Sequence, residues 1–564
     1  MKFTFDIHQP QNQYLQITAE FKTSKSQTEI FLPNWRPGRY ELGNFAKNVR
    51  DFKVFDSNNQ PLPFKKSDLN TWIVNNKDEK NIIVQYQYYS AELNAGSTFL
   101  NQSQLYVNPV NCCVFTDEQY NEEIAVQLNI PPEWKIAHSL PLENQTFFAK
   151  NFDELADSPF ICSASLQHKT YEVKGTTFHI WFNGIVKPDW SRLIDDFKRF
   201  TLCQVKYFSN MPTKEYHFLF QILPNRAYHG VEHSKSTVIC LGPSYKVFEE
   251  DYKELLGVSS HELYHTWNVK AIRPIEWMPY NFKQACPSKL GYVAEGVTTY
   301  MGDLILLKSG VFTLTQYLVE MNAQLQKHYD NFGRFHYSVA DSSYDTWLDG
   351  YVQGSPARKV SIYTEGALLA FIADVWIMKQ TNNQQGLIEV MRKMYQDFGE
   401  KGIGYSEKDY QNCLEHFSKS SMQWLFDDFI NGTTDYTEKL DECFNYIGLK
   451  IEISPSPSVF AAQLGAKLEA DNNVVSVYPD SIIDKVGIKI GDKIIAINGI
   501  SVGLDIDRWI TYFKNEEKEL LINRNGKIIR LKLPVSSEIY FKEYKLRLVD
   551  NPTEEQLKAL ESWG

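Results

Sequence analysis

Apolar residues alternate with polar ones through the first third of the chain, which is the pattern of strands that are buried on one face. The clearest stretches are Leu15–Phe21, Ile82–Tyr88 and Ile124–Ile130, and clusters of turn-forming residues separate them. A series of such strands predicts packed sheets. We therefore expect residues 1–172 to form a β-rich, sandwich-like domain.

After residue 172 the pattern changes to one of mixed strands and helices. Thr177–Phe182, Tyr216–Ile222 and Val231–Leu241 have the composition of strands, and the sequence Pro188-Asp189 begins a helix with one apolar side. The periodicity that follows is mostly helical. Residues 173–452 are thus predicted to form a small sheet followed by helices.

The last part of the chain returns to a β pattern. The run Ser454–Ser458, which alternates serine with proline, is typical of a linker. Asn498-Gly499 and Asn525-Gly526 each stand between apolar runs, which is a strong signal for a β-hairpin. We expect a small β domain at residues 453–536 and a tail with a short helix at residues 537–564, so that the whole chain is a multidomain α+β protein.

Composition excludes several classes of function. The chain has 564 residues, of which 43% are hydrophobic, and a net charge of −11 without a basic run, which argues against binding to nucleic acids or anionic membranes. The longest apolar run, Gly366–Met378, contains Asp374 and is too short to span a bilayer. The eight cysteines are scattered, and the first residues read as a strand rather than a signal peptide. A cytoplasmic location is the default expectation; a periplasmic or secreted protein whose leader had been removed would look the same.

Candidate chemistry is concentrated in His261-Glu262-Leu263-Tyr264-His265, inside a helix-forming segment from about Asp251 to Lys270. Residues four apart lie on the same face of a helix, so both imidazoles can reach one ion. Zinc accepts imidazole nitrogens and keeps a position for water, and Glu262 follows His261 closely enough to take a proton from that water. Composition alone predicts roughly 0.03 matches of this kind in the chain, so a chance pair of histidines is the weaker interpretation.

This segment resembles a known family. His261–Lys270 together with Ile272-Arg273-Pro274 is similar to the active-site signature of the M61 metallopeptidases, the glycyl aminopeptidase family of the gluzincin clan. The resemblance extends to Glu295–Tyr300, to Leu32–Tyr40 and to a C-terminal PDZ-like segment, so it covers nearly the whole chain. It implies a thermolysin-like, mostly helical catalytic domain, one Zn²⁺ per chain and a C-terminal PDZ-like β domain.

The resemblance also implies a third metal ligand. Glu295 matches the family's Glu-Gly-x-Thr-x-Tyr pattern and would join His261 and His265. The alternative for Glu295 is a helix-terminal carboxylate paired with a surface charge. Thr298 or Thr299 could supply a supporting hydrogen bond, although threonine on a packed helix needs no such role.

Two further residues receive roles from the resemblance. Glu232, at the head of a predicted edge strand, would bind the free α-ammonium of a peptide, or else be a solvated strand-edge carboxylate. Tyr363 would donate a hydrogen bond to the oxyanion, although Glu365 stands where the family usually has lysine, and a core tyrosine is the alternative. His229 and His233 receive no role. Two roles stay open for Arg273: it binds a substrate carboxylate, or it forms a salt bridge near a helix end.

The resulting hypothesis is a zinc-dependent aminopeptidase that removes small N-terminal residues, Gly or Ala, from peptides with a free N-terminus. One alternative is a zinc endopeptidase on the same site. Another is a PDZ peptide-binding protein whose peptidase module is inert. In the PDZ-like part, Leu464-Gly465-Ala466 is the candidate loop for a C-terminal peptide ligand, unless the chain's own tail fills the groove.

Overall fold

The computed structural model describes residues 1–77, 79–352 and 354–564. The chain divides into two compact units. The first contains Met1–Tyr317, Phe332–Leu440 and Lys558–Gly564, and the second contains Leu318–Asn331 and Asp441–Leu557.

The N-terminal part of the first unit is rich in strands, as the alternating pattern predicts. Its strands are β1 (Lys2–Asp6), β2 (Tyr14–Lys22), β3 (Gln27–Phe31), β4 (Val49–Asp56), β5 (Phe64–Asp68), β6 (Thr71–Asn75), β7 (Asn81–Tyr89), β8 (Phe99–Leu100), β9 (Gln104–Val107), β10 (Ile124–Asn129), β11 (Lys135–Ala137), β12 (Leu142–Glu143), β13 (Thr146–Ala149) and β14 (Phe160–Ser163). Two short helices, α1 (Pro109–Cys112) and α2 (Phe152–Ala156), interrupt them. Among the described residues these strands form sheets in the orders β12-β13-β10-β1-β2-β7-β4, β11-β14-β9-β8 and β3-β6-β5.

A five-stranded sheet follows, with the order β15-β16-β17-β19-β18 in the described chain. Its strands are β15 (Gln167–Val173), β16 (Thr176–Gly184), β17 (Glu215–Ile222), β18 (Ala227–Glu232) and β19 (Ser236–Gly242). Helix α3 (Trp190–Phe208) lies between β16 and β17, and Asp189 caps it by accepting hydrogen bonds from the N–H groups of Ser191 and Arg192.

The prediction of one strand from Val231 to Leu241 is wrong, because β18 and β19 are two antiparallel strands of a hairpin. The chain reverses at Ser234-Lys235, where the N–H of His233 donates to the carbonyl of Ser236 at 2.9 Å. This turn lacks the Asn-Gly signature, so the local sequence did not predict it. As a result Glu232 lies at the end of edge strand β18 rather than at its head.

After the short helix α4 (Ser244–Val247), the helix that carries the histidine motif is α5 (Tyr252–Tyr264). It ends about six residues before the predicted end at Lys270, and His265 is its C-cap. The chain then leaves the helical path, and Val269 has a φ of +130°. Asn268 holds this exit in place because its amide donates to the carbonyl of Val293 at 2.9 Å and to the hydroxyl of Thr298 at 3.0 Å.

The rest of the first unit is mostly helical, as predicted. The helices are α6 (Thr298–Lys308), α7 (Leu314–Asp330), α8 (Val339–Asp349), α9 (Ile362–Gln380), α10 (Leu387–Met394), α11 (Glu407–Ser418) and α12 (Thr437–Tyr446), and both α7 and α12 continue into the second unit. Wider π-helical turns occur at Tyr292–Val297, Tyr395–Gly399 and Leu425–Ile430. Short 3₁₀ turns lie at Pro10–Asn12, Phe45–Asn48, Asp117–Gln119, Ile275–Trp277 and Phe332–Phe335.

The second unit is a small mixed domain. Its elements are β20 (Leu449–Pro455), α13 (Val459–Leu464), β21 (Ala466–Leu468), β22 (Val474–Val477), α14 (Ile482–Lys485), β23 (Lys493–Ile497), β24 (Ile500–Ser501), α15 (Ile506–Tyr512), β25 (Lys518–Arg524), β26 (Lys527–Leu533), β27 (Lys542–Leu548) and the start of α16 (Glu554–Trp563). Both predicted hairpins are present, with positive φ at Asn498, Gly499, Asn525 and Gly526.

The predicted linker at Ser454–Ser458 is not a linker. Ser454 and Pro455 belong to β20, which pairs with β27 near the C-terminus, and Ser458 caps α13. The partner strand is almost a hundred residues away in sequence, so the local Ser-Pro composition could not reveal it.

The N-terminal strands and the segment after α5 share one hydrophobic core. Trp277, Tyr280 and Phe282 belong to the same buried cluster as Phe3, Phe5 and many other residues of the N-terminal sheets. The protein is thus a multidomain α+β protein whose β-rich N-terminal part packs directly against the part that carries the histidine motif. None of the helices within the described residues is both long enough and apolar enough to cross a membrane.

Candidate metal centre

Three side chains predicted as metal ligands converge on one point. The Nε2 atoms of His261 and His265 are 3.0 Å apart, and Oε2 of Glu295 lies 3.7 Å and 3.4 Å from them, respectively. Ligand atoms about 2.0–2.1 Å from a tetrahedral zinc ion are roughly 3.3 Å apart. Both the spacing and the donor set of two imidazoles and a carboxylate therefore fit zinc.

The orientation of His265 is fixed by its other ring nitrogen. Nδ1 lies 2.8 Å from the carbonyl oxygen of Asn268, to which it donates in the tautomer that leaves Nε2 free. The hydroxyl of Thr298 is 3.5 Å from the same nitrogen and donates to the carbonyl of Ala294 at 2.7 Å. Of the two threonines considered from the sequence, the structure brings Thr298 to the histidine.

Glu295 lies in the π-helical turn Tyr292–Val297, and this turn packs closely on α9. A Cβ on Gly296 would collide with the backbone of Gly366. Glycine at both positions therefore allows the two helical segments to touch. This contact brings the first turn of α9, which contains Tyr363, towards the same site.

Glu262 is buried and faces the strand β18. A Cβ on Gly230 would collide with its carboxylate, and Oε2 has no hydrogen-bond partner within the described residues. Burial raises the pKa of Glu262 well above its usual range, and the neighbouring charge of His265 opposes that shift. An unpartnered carboxylate oxygen in such a position is able to accept a proton from a water molecule.

Glu232 is a second buried carboxylate, with 3% of its surface exposed. Its Oε1 lacks a hydrogen-bond partner in the described part of the chain, and a Cβ on Gly38 would collide with Oε2. Potential ligand atoms of Glu232, Glu262 and His265 lie within 4.8 Å of one another. The alternative of a solvated carboxylate at a strand edge does not describe this residue.

Tyr363 is in the first turn of α9, and its ring is 6.5 Å from that of His261. Burial, and then the charge of Glu295, raise the pKa of Tyr363 well above its usual range, so the phenol keeps its proton and remains a donor. Its hydroxyl lies 3.4 Å from that of Tyr351, a second phenol that the sequence did not indicate.

The carboxylates at the centre favour the binding of a cation. Burial alone would lower the pKa of His265, but the carboxylates of Glu295, Glu232 and Glu262 raise it to about 10. Three buried carboxylates around two imidazoles form an environment that a divalent cation neutralises. This balance agrees with the ligand spacing.

The remaining candidates from the sequence lie near the centre but contact other groups. His233 lies 3.1 Å from Asp157, which also accepts a hydrogen bond from Lys270 at 2.8 Å. Burial lowers the pKa of His229 to about 3. The guanidinium of Arg273 is 3.9 Å from the ring centre of Tyr280 and donates to a backbone carbonyl.

The N-terminal part supplies residues that the sequence did not single out. The hydroxyl of Tyr40 donates to Oε1 of Glu295 at 2.5 Å, and the backbone of Gly38 lies against Glu232. Arg36 is 5% exposed and donates to the carbonyl of Pro37 at 3.3 Å. The resemblance of Leu32–Tyr40 to a family motif marked this segment, but it did not indicate which residues of the segment contact the candidate metal centre.

A second group of histidines lies on the five-stranded sheet. The rings of His179 and His217 are 4.2 Å apart with an interplanar angle of 14°, and Glu215 lies beside them. His168 stacks on Trp181 at 3.6 Å, and its Nε2 is 3.0 Å from Nδ1 of His179. We call these four residues with Trp181 the histidine stack.

Comparison with protein families gives three matches along the chain. Residues 2–164 match the Peptidase M61 N-terminal domain, residues 254–369 match the M61 glycyl aminopeptidase, and residues 474–524 match a PDZ domain. Comparison with curated protein sequences gives no significant match.

Among solved structures, the chain is similar to an aminopeptidase N family protein from Idiomarina loihiensis. The TM-score is 0.91 at 24% sequence identity, and the likeness covers 100% of this chain and 99% of the other. A mutant M1 zinc metallopeptidase from Deinococcus radiodurans, bound to a Tyr-Ser-Ala substrate, gives a TM-score of 0.49 at 12% identity over 77% of this chain and 94% of the other. The first likeness establishes a common fold along the whole chain; the second TM-score is too low to carry an argument.

Proposed function

We propose that this chain, which belongs to the M61 family of metallopeptidases, is a zinc-dependent aminopeptidase that removes small N-terminal residues from peptides. The observation that carries the proposal is a single buried cluster. It combines a converging His-His-Glu ligand set with two unpartnered carboxylate oxygens, Oε2 of Glu262 and Oε1 of Glu232. One of these carboxylates is available for proton transfer and the other for a substrate ammonium group.

The ligands in this proposal are His261, His265 and Glu295, which would bind one Zn²⁺ per chain. Zinc bound there would lower the pKa of a water molecule to about 7 and polarise the scissile carbonyl. Glu262 accepts a proton from the attacking water and returns it to the departing amine. Tyr363 donates a hydrogen bond to the oxygen on which negative charge develops.

Glu232 is the residue that favours an aminopeptidase over an endopeptidase. A buried carboxylate without a partner gains a charge-assisted hydrogen bond when a substrate α-ammonium binds it. Its closeness to Glu262 and His265 leaves room for only a short segment between the ammonium group and the reacting carbonyl. An internal peptide bond carries no ammonium group, so an endopeptidase would leave this carboxylate buried and unpaired.

The chain backbone approaches both of these carboxylates closely. Gly38 lies against the carboxylate of Glu232 and Gly230 lies against that of Glu262, and a Cβ at either position would collide with the carboxylate. The support for a small first residue is the description of the matched family model, which is a glycyl aminopeptidase. We therefore propose glycine and alanine as the preferred first residues.

Hydrolysis of a panel of amino-acid anilides, with and without a chelator, tests the proposal. We expect glycine and alanine anilides to be cleaved, the chelator to abolish cleavage and added Zn²⁺ to restore it. Glu232→Gln should raise KM for free peptides. If N-acetylated peptides were cleaved as well as free ones, the aminopeptidase assignment would be wrong and the endopeptidase alternative would stand.

We further propose that the PDZ-like part binds peptides, with the match at residues 474–524 in support. The backbone N–H of Gly465 already donates to Ala461, and the N–H of Tyr540 donates to the carbonyl of Ala462 at 2.9 Å, so the chain's own tail lies beside the candidate loop. Fluorescence polarisation with a library of C-terminal peptides, on the full chain and on Tyr540→Ala, tests whether that tail competes. Tighter binding by the variant is expected if it does.

A further inference from the structure

The carboxylate of Glu295 has two different environments for its two oxygens. Oε2 faces the two imidazoles, whereas Oε1 accepts the 2.5 Å hydrogen bond from the hydroxyl of Tyr40. Tyr40 is 255 residues away in sequence and comes from the β-rich N-terminal part. A carboxylate free to rotate could present either oxygen, or both, to an ion. The hydrogen bond removes that freedom.

Tyr40 is itself held firmly. It is 3% exposed, and its ring stacks on that of Trp277 at 4.9 Å with an interplanar angle of 15°. The phenol therefore reaches Glu295 from a fixed direction. Because the ring packing involves carbon atoms, the hydroxyl can be removed without disturbing it.

The loop that carries Tyr40 is anchored on the part of the chain that follows α5. The indole N–H of Trp35 donates to the carbonyl of Asn281 at 2.7 Å, and the backbone N–H of Asn34 donates to Phe282 at 2.8 Å. The Trp35 ring also contacts that of Trp347 at 5.0 Å. These contacts fix the N-terminal loop both on the segment after α5 and on helix α8.

We propose that Tyr40 is a positioning residue for Glu295: it holds Oε1 so that Oε2 alone is presented beside His261 and His265. The β-rich N-terminal part therefore completes the metal centre rather than only flanking it. This inference rests on the proposed ligand role of Glu295. Partners that hold the ligands of a metal are commonly worth about 10–100-fold in metal affinity.

The test is Tyr40→Phe in the full chain, with Zn²⁺ affinity measured by competition with a chromogenic chelator. We expect the dissociation constant for Zn²⁺ to rise about 10–100-fold. The visible spectrum of the Co²⁺-loaded protein should also change, because the carboxylate can then bind through either oxygen. Tyr120→Phe is the matched control, since its buried hydroxyl has no hydrogen-bond partner in the described chain. This variant should bind Zn²⁺ like the unmodified protein.

Equal thermal midpoints of the metal-free variants establish that both are folded. If Tyr40→Phe binds Zn²⁺ with unchanged affinity and gives an unchanged Co²⁺ spectrum, Tyr40 does not position the ligand and the inference is wrong. If the unmodified protein itself binds no Zn²⁺, the proposed function fails instead, so the two failures are distinguishable. An affinity loss of equal size in Tyr120→Phe also overturns the inference, because it assigns the effect to packing.

Discussion

The candidate metal centre and the histidine stack contain the same kinds of side chain but arrange them differently. In the metal centre, the rings of His261 and His265 are nearly perpendicular, at 82°, and their Nε2 atoms point at a shared position. In the histidine stack, the rings of His179 and His217 are nearly parallel, at 14°. An imidazole binds metal in its ring plane, so parallel stacked rings do not share an ion in this arrangement.

The hydrogen-bond partners of the ring nitrogens also differ between the metal centre and the histidine stack. Nδ1 of His265 bonds to a backbone carbonyl, which leaves its Nε2 free as a ligand. In the histidine stack, Trp181 donates to Nδ1 of His217 at 3.3 Å, which favours the tautomer with a proton on Nε2. The comparison teaches that ring orientation and the partner of the second nitrogen separate a metal centre from a packed cluster, whereas residue type does not.

The largest expected effect comes from removing one histidine from each cluster. His265→Ala should lose stoichiometric zinc and nearly all peptidase activity, because two ligands no longer hold the ion. His179→Ala should retain one zinc per chain and its activity. Metal content by atomic absorption after gel filtration checks both. Two ions per chain in the unmodified protein and one in His179→Ala would break the comparison, because the histidine stack would then be a second metal site.

The next effect separates metal binding from proton transfer. Glu262→Gln should retain zinc but lower kcat by about 10²–10⁴-fold, because an amide cannot accept the proton. Glu215→Gln makes the same change within the histidine stack and should leave kcat unaltered. Steady-state rates together with metal content measure both variants. A Glu262→Gln enzyme with normal kcat would exclude Glu262 as the base.

A smaller loss is expected at the oxyanion. Tyr363→Phe should lower kcat by roughly 10²–10³-fold, as loss of one preorganised donor does, with little change in KM. Tyr351→Phe is the informative partner variant, because the two hydroxyls are 3.4 Å apart. A large effect in Tyr351→Phe and none in Tyr363→Phe would assign the donor role to Tyr351.

The smallest effect concerns acid stability and is expected from the histidine stack. Burial lowers the pKa of all three histidines of the stack, and the pKa of His168 is about 4. The charges of neighbouring histidines lower the pKa of His168 and His217 further. Unfolded histidines titrate near 6.5, so the unfolded chain binds more protons below that pH, and stability falls as the pH drops from about 6.5 towards 4.

We expect the free energy of unfolding, measured by urea denaturation, to decrease over this range by an amount on the order of 1 kcal/mol, and the urea midpoint to fall with it. His168→Gln should weaken the dependence, and His8→Gln, an exposed histidine outside the stack, should leave it unchanged. A midpoint that does not move between pH 7 and pH 5 would contradict the prediction.

Local signals in the sequence were informative where the structure depends on near neighbours. The i, i+4 spacing of His261 and His265 is a property of one helix, and the two Asn-Gly hairpins are properties of their own turns. Alternating strands such as β2 and β7 were recognised for the same reason. The single strand predicted at Val231–Leu241 failed because the turn at Ser234-Lys235 carries no local signal.

By itself, the sequence determined the fold class and the helix that presents two imidazoles and Glu262 on adjacent faces, because these follow from periodicity and spacing within single segments. The family was indicated by the resemblance of several motifs rather than by spacing. Only the tertiary structure decided that Tyr40 reaches Glu295, that Gly38 packs on Glu232 and that β20 pairs with β27. Each of these joins segments far apart in the chain. The physical reason is that backbone periodicity constrains residues within a few turns of one another, whereas contacts between distant segments depend on how whole layers pack.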